Sequence, residues 1–363
     1  MFSLAVTSSS EDSLELALKL ARGGRAAEMR RDLTEALARY QEARALLDGR
    51  EPTPLYANLL RWSGSVLRDL GDVEGAEKLY SDSYEVADRT GSLSAKASAL
   101  NCRAVMAQRR GDLDEAIALY RQAGRLATEA GEIRLAGMIE QNLGVLANIR
   151  GDLDGALVRY RAALRAFQEV GDDEAVSWVL NNMGMLLTDL GLPVRAEKSF
   201  LQGLQIARAR RDRPMEGVLQ ANYAESLIAM RRWEEADTAL AAALRIARQG
   251  DDRAREGEAL KLLGVLDRER GEYDKADEHL TAALAIAIQI EDPLLVAESR
   301  RERGELRVRQ GRWDEALEDW EVARRGFRDL HATLDADRMT ARIDQLLDQI
   351  RRAHWGADEE TIG

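Results

Sequence analysis

Apolar and small residues recur along this chain every 40 positions, in two helix-length groups separated by short polar breaks. In residues 141–163, a run at helical spacing leads to Gly151-Asp152, and a second such run follows. Glycine favours the left-handed backbone that ends a helix, and aspartate is a preferred N-cap, so this break predicts a helix–turn–helix unit. A fixed period without insertion over eight copies predicts an array in which each unit stacks on its neighbours.

Two sets of positions, one on each helix, define the packing of the repeat. The centre of the first helix is always small: Gly24, Gly64, Ala104, Gly144, Gly184, Ala224, Gly264 and Gly304. The second helix carries a large residue between small ones: Tyr40, Tyr80, Tyr120, Tyr160, Phe200, Leu240, Leu280 and Trp320. Glycine inside a helix costs about 1 kcal/mol relative to alanine. Its return in six of the eight copies therefore predicts that the two helices approach closely at this point.

These residues carry a resemblance to a known family. Asn142-Leu143-Gly144, Gly151-Asp152, Ala156, Tyr160 and Ala163 resemble the tetratricopeptide repeat at the same mutual spacings. The commonest form has 34 residues, so a 40-residue period implies longer helices, as in kinesin light chains, Pins-type spindle adaptors and helical sensor domains of bacterial regulators. The resemblance covers residues 11–330 and implies an all-α fold, a right-handed α-solenoid of eight helix–turn–helix repeats.

The ends of the chain depart from the repeat. We predict a disordered N-terminal tail (1–10), a repeat superhelix (11–330), a C-terminal capping helix (331–353) and an acidic tail (354–363). Gly23-Gly24 is expected to interrupt the first helix. Pro52 and Pro54 form either a hinge or an N-terminal stop before the next helix. Trp355 either packs on the cap or anchors a partner.

Charge and cysteine content narrow the class of protein. The net charge of −12 and the pI near 5.1 argue against a general binder of nucleic acid or anionic membranes. The single cysteine, Cys102, excludes an internal disulfide framework and suits a reducing compartment. No apolar run reaches the roughly 18 residues of a membrane span. We therefore expect a cytoplasmic protein without membrane insertion.

No pattern for catalysis or metal binding is found in the sequence. The three histidines, His279, His331 and His354, have no metal-ligand spacing with one another or with Cys102. Phosphate loops, dinucleotide-binding glycine patterns and nucleophile elbows are absent from the sequence. We predict no enzymatic activity, no cofactor and no metal.

The candidate binding surface follows from the family resemblance, in which first helices line the concave face. The corresponding positions carry amides at Asn101, Gln108, Gln141, Asn142, Asn148, Asn181, Asn182 and Asn222. An amide both donates and accepts hydrogen bonds, so a ladder of them could pair with an extended peptide backbone. In the family, Asn at the position of Asn142 often holds a ligand backbone. The alternative is that these amides bond to neighbouring helices.

Apolar and charged residues complete this surface. Met138, Val145, Trp178 and Met185 lie among the amides, and Trp178 is either a binding hot spot or packed on the next repeat. Toward the C-terminal repeats, the groove positions carry the acidic residues Glu225, Glu258, Glu298, Glu302 and Glu305 together with the basic residues Lys261, Arg268 and Arg301. A partner with a basic end would suit them. The central positions lack the Lys and Arg set of the carboxylate clamps that hold chaperone tails, so no such clamp is predicted.

These patterns predict a non-enzymatic adaptor or scaffold that binds a peptide or protein segment in the concave groove, as a monomer or weak homo-oligomer. The alternative is a ligand- or peptide-responsive regulatory sensor that acts on a separate effector protein. A third interpretation, self-assembly through exposed repeat ends, is disfavoured by the predicted cap. No nucleic-acid partner is expected.

Overall fold

The chain forms helices along almost its whole length. The computed structural model describes the backbone of residues 2–330 and 332–359, and the side chains of 12–330 and 332–352. Within these residues there are seventeen helices and no strand, and no helix combines the length and hydropathy of a membrane span. The helices are α1 (Phe2–Met29), α2 (Leu33–Ala45), α3 (Pro54–Asp69), α4 (Val73–Arg89), α5 (Leu93–Arg109), α6 (Leu113–Glu129), α7 (Ile133–Ile149), α8 (Leu153–Glu169), α9 (Asp173–Asp189), α10 (Pro193–Ala209), α11 (Arg213–Ala229), α12 (Trp233–Gln249), α13 (Arg253–Arg270), α14 (Tyr273–Gln289), α15 (Pro293–Arg309), α16 (Trp313–Asp329) and α17 (Thr333–Glu359).

Each predicted repeat is a pair of helices, the first odd-numbered and the second even-numbered. Most helices from α4 to α16 have 17 residues, which explains the 40-residue period. The chain divides into a first unit, residues 1–172, and a second unit, residues 173–363. The first unit holds α1–α8 and the second holds α9–α17. The predicted all-α helical-repeat fold is confirmed.

The small residue at the centre of each first helix packs against the large residue of the second. A Cβ atom added to Gly144 would lie 2.7 Å from the Tyr160 ring, and one added to Gly184 would lie 2.5 Å from the Phe200 ring. Such distances are far below van der Waals contact, so a side chain at either position would force the ring or the helices to shift. The predicted close approach of the two helices is confirmed.

The turns between helices follow the predicted chemistry, with exceptions. Gly71, Gly111 and Gly151 have φ values of 92°, 82° and 77°, in the left-handed region. The following aspartates accept the backbone N–H three residues later, as when Asp152 Oδ1 accepts from Gly155 N at 2.9 Å. Among the residues whose backbone is described, five in the turns other than glycine have this left-handed conformation: Arg31, Arg211, Arg231, Asp251 and Glu291. Each such residue costs about 1–2 kcal/mol.

The ends of the helices differ from the predicted segments. Helix α1 begins at Phe2, so most of residues 1–10, predicted as a disordered tail, has helical backbone. No Gly or Pro separates this stretch from the packed part of α1, so nothing ends the helix. The expected interruption at Gly23-Gly24 is wrong, because Gly24 is the small residue that packs under Tyr40. Helix α17 continues to Glu359, beyond the predicted end of the cap.

Helix α17 packs on the last repeat through an apolar stripe. Met339, Ile343 and Leu346 are buried in one cluster with Trp320 and Phe327 of α16. This contact covers apolar surface that a further repeat would otherwise cover. The side chains of His331, His354 and Trp355 lie outside the described residues.

A buried carboxylate joins the two helices of the last repeat. Asp319 of α16 is completely buried and accepts hydrogen bonds from three arginines of α15. Its Oδ1 is 2.7 Å from Arg300 NH1, and its Oδ2 is 2.6 Å from Arg307 NH1. The Arg303 guanidinium donates to both oxygens at 2.8 Å. Burial by itself raises the pKa of Asp319, but these hydrogen bonds and charges outweigh it and lower the pKa.

Candidate functional site on the first helices of the second unit

A cavity of about 600 Å³ is lined mainly by four first helices of the second unit, α9, α11, α13 and α15. We name it the charged cavity. Its acidic residues are Asp189, Glu225, Glu258, Glu269, Glu298 and Glu302, and its basic residues are Arg231, Lys261, Arg268 and Arg301. Met185, Ile228, Leu262 and Val265 add apolar surface. Most of its lining comes from first helices, and Arg231 and Trp233 add a contribution from the α11–α12 turn and the start of α12.

Two buried cations of the charged cavity are neutralised inside the protein. Lys261 Nζ forms an ion pair with Glu298 and lies 4.0 Å from Glu258 Oε1. Burial alone would lower the pKa of Lys261, but the nearby carboxylates outweigh it and raise the pKa above its usual value. Arg268 NH1 donates to Glu302 Oε2 at 2.8 Å, and its Nε donates to Glu269 Oε1 at 3.1 Å.

Glu302 is held between two guanidinium groups. Its Oε1 accepts from Arg301 Nε at 2.8 Å, while its Oε2 accepts from Arg268. Burial opposes ionisation, but the charges of Arg301 and Arg268 prevail and lower the pKa of Glu302 to about 2. Arg301 NH1 also lies 3.8 Å from Asp335 Oδ1, so this network extends from the cavity to α17.

The Glu302 network predicts acid sensitivity. Folding lowers the pKa of Glu302 from 4.5 to about 2, so the ionised carboxylate stabilises the folded state. This stabilisation is fully present above pH 4.5 and is lost as the pH falls toward 2. We expect Glu302→Gln to make the urea midpoint less dependent on pH in this range. Urea titrations followed by circular dichroism at a series of pH values measure this dependence. The exposed Glu318→Gln is the control, and equal pH slopes in wild type and Glu302→Gln would contradict the assignment.

Two acidic side chains of the charged cavity have no ion pair or hydrogen bond within the described residues. They are Asp189 at the end of α9 and Glu225 on α11. Both side chains are exposed, yet the cavity walls remove part of their hydration, and this desolvation raises both pKa values. Arg338 partly opposes the shift at Asp189, and Lys261 partly opposes it at Glu225. The cavity therefore presents two carboxylates that the protein does not neutralise by direct contact.

A second, smaller cavity of about 250 Å³ lies among α11, α12 and α13. We name it the apolar pocket, because Val218, Ala221 and Ile246 form much of its wall. Asn222 and Glu258 line both cavities, so the apolar pocket adjoins the charged cavity.

Three predicted binding residues of the second unit come together. Asn222 Nδ2 donates to Asn181 Oδ1 at 2.8 Å and lies 3.4 Å from Met185 Sδ. Asn181 is buried, so its amide links α9 to α11, which agrees with the alternative that these amides bond to neighbouring helices. Trp178 is 40% exposed and Asn182 is half-buried on α9, and neither lines the two cavities.

The other predicted residues belong to the first unit. Asn101 of α5 is buried and its Oδ1 has no partner among the described residues, while Gln108 Oε1 accepts from the Tyr120 hydroxyl at 3.2 Å. Met138 Sδ lies 3.4 Å from Arg134 NH1. The remaining four are half-buried on α7: Gln141, Asn142, Val145 and Asn148.

The described side chains contain no group of three or more His, Cys, Asp and Glu residues placed to hold a metal ion. His279 Nδ1 lies 2.7 Å from Asp267 Oδ2, which gives this histidine a structural partner. Cys102 is buried, and burial raises the pKa of its thiol.

The apolar pocket was missed from the sequence, although it leaves a signal there. The groove position of Ala221 carries a long or amide side chain in the other repeats from the second on: Arg61, Asn101, Gln141, Asn181, Lys261 and Arg301. The position of Gly250 likewise holds a side chain in the other repeats from the second on: Thr90, Ala130, Val170, Arg210, Ile290 and Leu330. The repeat that contributes most of the apolar pocket is thus the one with the smaller residue at both positions.

Known structures share this fold at low sequence identity. The apo quorum sensor NprR from B. thuringiensis is 15% identical, with a TM-score of 0.69 over 86% of this chain and 87% of that one. A Rap protein complexed with competence and sporulation factor is 15% identical, with a TM-score of 0.59 over 94% and 99%. The Rap conjugation gene regulator of plasmid pLS20, in complex with the Phr* peptide, is 18% identical, with a TM-score of 0.55 over 78% and 76%. At this level of sequence identity, the similarity shows a shared fold and does not show a shared function.

Sequence comparison identifies the family. A search of curated proteins finds no match. The family model of the tetratricopeptide repeat matches residues 55–129, 134–209 and 217–289, which together make up more than half of the chain. The chain belongs to the tetratricopeptide repeat family.

Proposed function

We propose that this protein binds a peptide or an extended protein segment on the first helices of its second unit. The observation that carries the proposal is the charged cavity, whose volume of about 600 Å³ is within the range of ligand-binding sites. Four successive repeats contribute to it, so a bound segment would contact all four.

The chemistry of the cavity suits a peptide. Asn222 supplies an amide, Met185 an adaptable apolar surface, and Asp189 and Glu225 two carboxylates without direct partners. Met185 is 42% exposed, so it is available for contact. The predicted amide Asn182 of the second unit has no side-chain hydrogen bond within the described residues, and we include it in the proposed binding surface.

The structural relatives support a peptide ligand by analogy. One is the quorum sensor NprR, and another was solved in complex with the Phr* peptide. Shared fold alone does not transfer function. The analogy gains weight here because this chain has a cavity on its first helices with polar groups available to a ligand.

A displayed random-peptide library, selected on the immobilised full chain, tests this function. We expect enriched peptides whose affinity falls at least tenfold when Val265→Trp fills the charged cavity, because the added ring occupies the ligand volume. The double variant Asn182→Ala, Asn222→Ala tests the amides of the second unit in the same assay. Gln202→Ala, an exposed amide on the second helix α10, is the matched control.

Circular dichroism establishes that each variant is folded before binding is compared. Enriched peptides that bind Val265→Trp as tightly as wild type would overturn the site. A selection that enriches no peptide would overturn the peptide-binding function itself.

One contact network favours the second candidate, a regulatory sensor that responds to its ligand. Arg301 lines the charged cavity and approaches Asp335 of α17, while Arg342 of α17 pairs with Glu305 of α15. A ligand that displaces Arg301 would therefore alter the attachment of α17. Hydrogen exchange of α17 with and without an enriched peptide separates the candidates, since a passive adaptor leaves this exchange unchanged.

A further inference from the structure

The two adjoining cavities define the chemistry of the bound segment more closely, if the proposed function holds. We propose that the segment carries a bulky aliphatic or aromatic residue within two positions of a lysine or arginine. The apolar side chain enters the apolar pocket, and the cationic group lies in the charged cavity against Asp189 and Glu225.

The apolar pocket has the size and lining of a side-chain site. Its volume of about 250 Å³ exceeds the roughly 150 Å³ of an engineered apolar cavity that admits benzene. Its wall combines apolar residues, among them Val218, Ala221, Ile246 and Ala247, with the charged residues Arg213, Asp252, Arg255 and Glu258. Burying one Leu- or Phe-sized side chain there is worth about 1.5–3 kcal/mol, enough to select such a residue over alanine.

Two small residues, Ala221 and Gly250, line the pocket, and the backbone at Gly250 does not require glycine. Gly250 has φ −92°, a value open to any L-residue, and a Cβ added there would meet its nearest atom at 3.5 Å. The equivalent position of the next repeat holds Ile290 without any change in helix length. A larger residue at position 250 would therefore fill the pocket and leave the packing intact.

Charge complementarity identifies the second group of the ligand. Three of the four cations of the cavity, Lys261, Arg268 and Arg301, are paired with Glu298, Glu269 and Glu302. The fourth, Arg231, has no ion pair within the described residues, and its one charge is outnumbered by the two unpaired carboxylates. Asp189 and Glu225 remain without a direct partner within the described residues. Asp189 and Glu225 lose part of their favourable hydration in the cavity, and the attraction of a cation placed between them would offset that loss. A lysine or arginine side chain brings this charge on a long apolar stem that matches Ile228 and Val265 in the cavity wall.

The shared wall sets the spacing between the two groups. Asn222 and Glu258 line both cavities, so a chain crossing from one to the other passes these two side chains. An extended peptide advances about 3.3–3.6 Å per residue, so neighbouring or next-but-one side chains reach adjoining cavities. The Asn222 amide donates through Nδ2 to Asn181, which leaves its Oδ1 to accept a backbone N–H of the segment.

The experiment is a selection of displayed random hexapeptides on three forms of the full chain: wild type, Gly250→Ile, and the double variant Asp189→Asn, Glu225→Gln. From wild type we expect sequences with Leu, Ile, Met or Phe within two positions of Lys or Arg. Peptides selected on Gly250→Ile should no longer be enriched in Leu, Ile, Met or Phe but should keep the enrichment in Lys or Arg. Peptides selected on the double variant should lose the enrichment in Lys or Arg and keep the enrichment in apolar residues. For a chosen peptide, each change should weaken binding by about tenfold, and Gln202→Ala should not.

Thermal unfolding separates a binding effect from a folding effect, because Gly250→Ile is expected to leave the melting temperature unchanged or raise it. The inference is overturned if wild-type peptides lack the paired pattern, or if both variants select the same peptides as wild type. Peptides that lack the pattern but lose affinity for Val265→Trp would leave the proposed function standing and refute only this inference. The absence of any enriched peptide would refute both.

Discussion

Replacement of Asp319 by alanine will lower the free energy of unfolding of the last repeat by about 3–5 kcal/mol, the cost of removing one member of a buried ionic group. The change leaves Arg300, Arg303 and Arg307 facing a site from which their common acceptor is gone. Two of these guanidinium groups are themselves mostly buried, with 12% and 13% side-chain exposure for Arg303 and Arg307. Urea unfolding and hydrogen exchange of α15, α16 and α17 measure the loss.

Glu318→Ala is the control for this experiment, because Glu318 is the exposed neighbour of Asp319 on the same helix. In a repeat array each unit contacts only its neighbours, so the exchange rates of α9 and α10 should change little. A loss below about 1 kcal/mol for Asp319→Ala would show that the arginines find water or other acceptors, and that the buried carboxylate is dispensable.

The second large effect is expected at the centre of a first helix. Gly184→Val places a branched side chain where even a Cβ would lie 2.5 Å from the Phe200 ring, so α9 and α10 must separate. Overpacking of this kind costs about 3 kcal/mol. Gly184→Ala should cost less, because alanine gains about 1 kcal/mol of helix propensity and because Ala104 and Ala224 stand at the equivalent position of other repeats.

Ala241→Val is the matched control for Gly184→Val. Ala241 is exposed on α12, so its replacement carries the helix-propensity penalty of valine without the contact with an aromatic ring. Thermal and urea unfolding of the four proteins give the comparison. Equal destabilisation by Gly184→Val and Ala241→Val would show that helix propensity, and not packing of the helices, explains the recurrence of glycine.

Much of the fold follows from the sequence because its determinants are local and repeated. Gly144 and Tyr160 lie sixteen residues apart on adjacent helices. The same small-and-large pair recurs in eight repeats, so the pattern is recognisable even where one repeat departs from it. The ends of the array have no such repetition. Gly23-Gly24 shows the difficulty, since the same residue type ends a helix at Gly151 and packs inside one at Gly24.

The candidate site was harder to predict, because it depends on which side chains neutralise one another across repeats. Glu298 and Glu302 belong to the predicted acidic surface, yet both are paired with buried or half-buried cations. The unpaired carboxylates are Asp189, which was not predicted, and Glu225. Periodicity gives the face of a helix on which a residue lies, but not the partner 30–40 residues away that removes its charge.

Several of the described turns without glycine lie next to two helices. Arg211 and Arg231 bound α11, and Arg231 and Asp251 bound α12, so these two helices have a disfavoured backbone conformation at both ends. Helix α11 carries Asn222 and Glu225, and α12 supplies Ile246 and Gly250 to the apolar pocket. The strained turns therefore flank two helices that line the candidate cavities. Because each such turn costs folding energy, we expect α11 and α12 to open locally at a lower free energy than α7 and α8, whose turns contain glycine, and hydrogen exchange measures this difference.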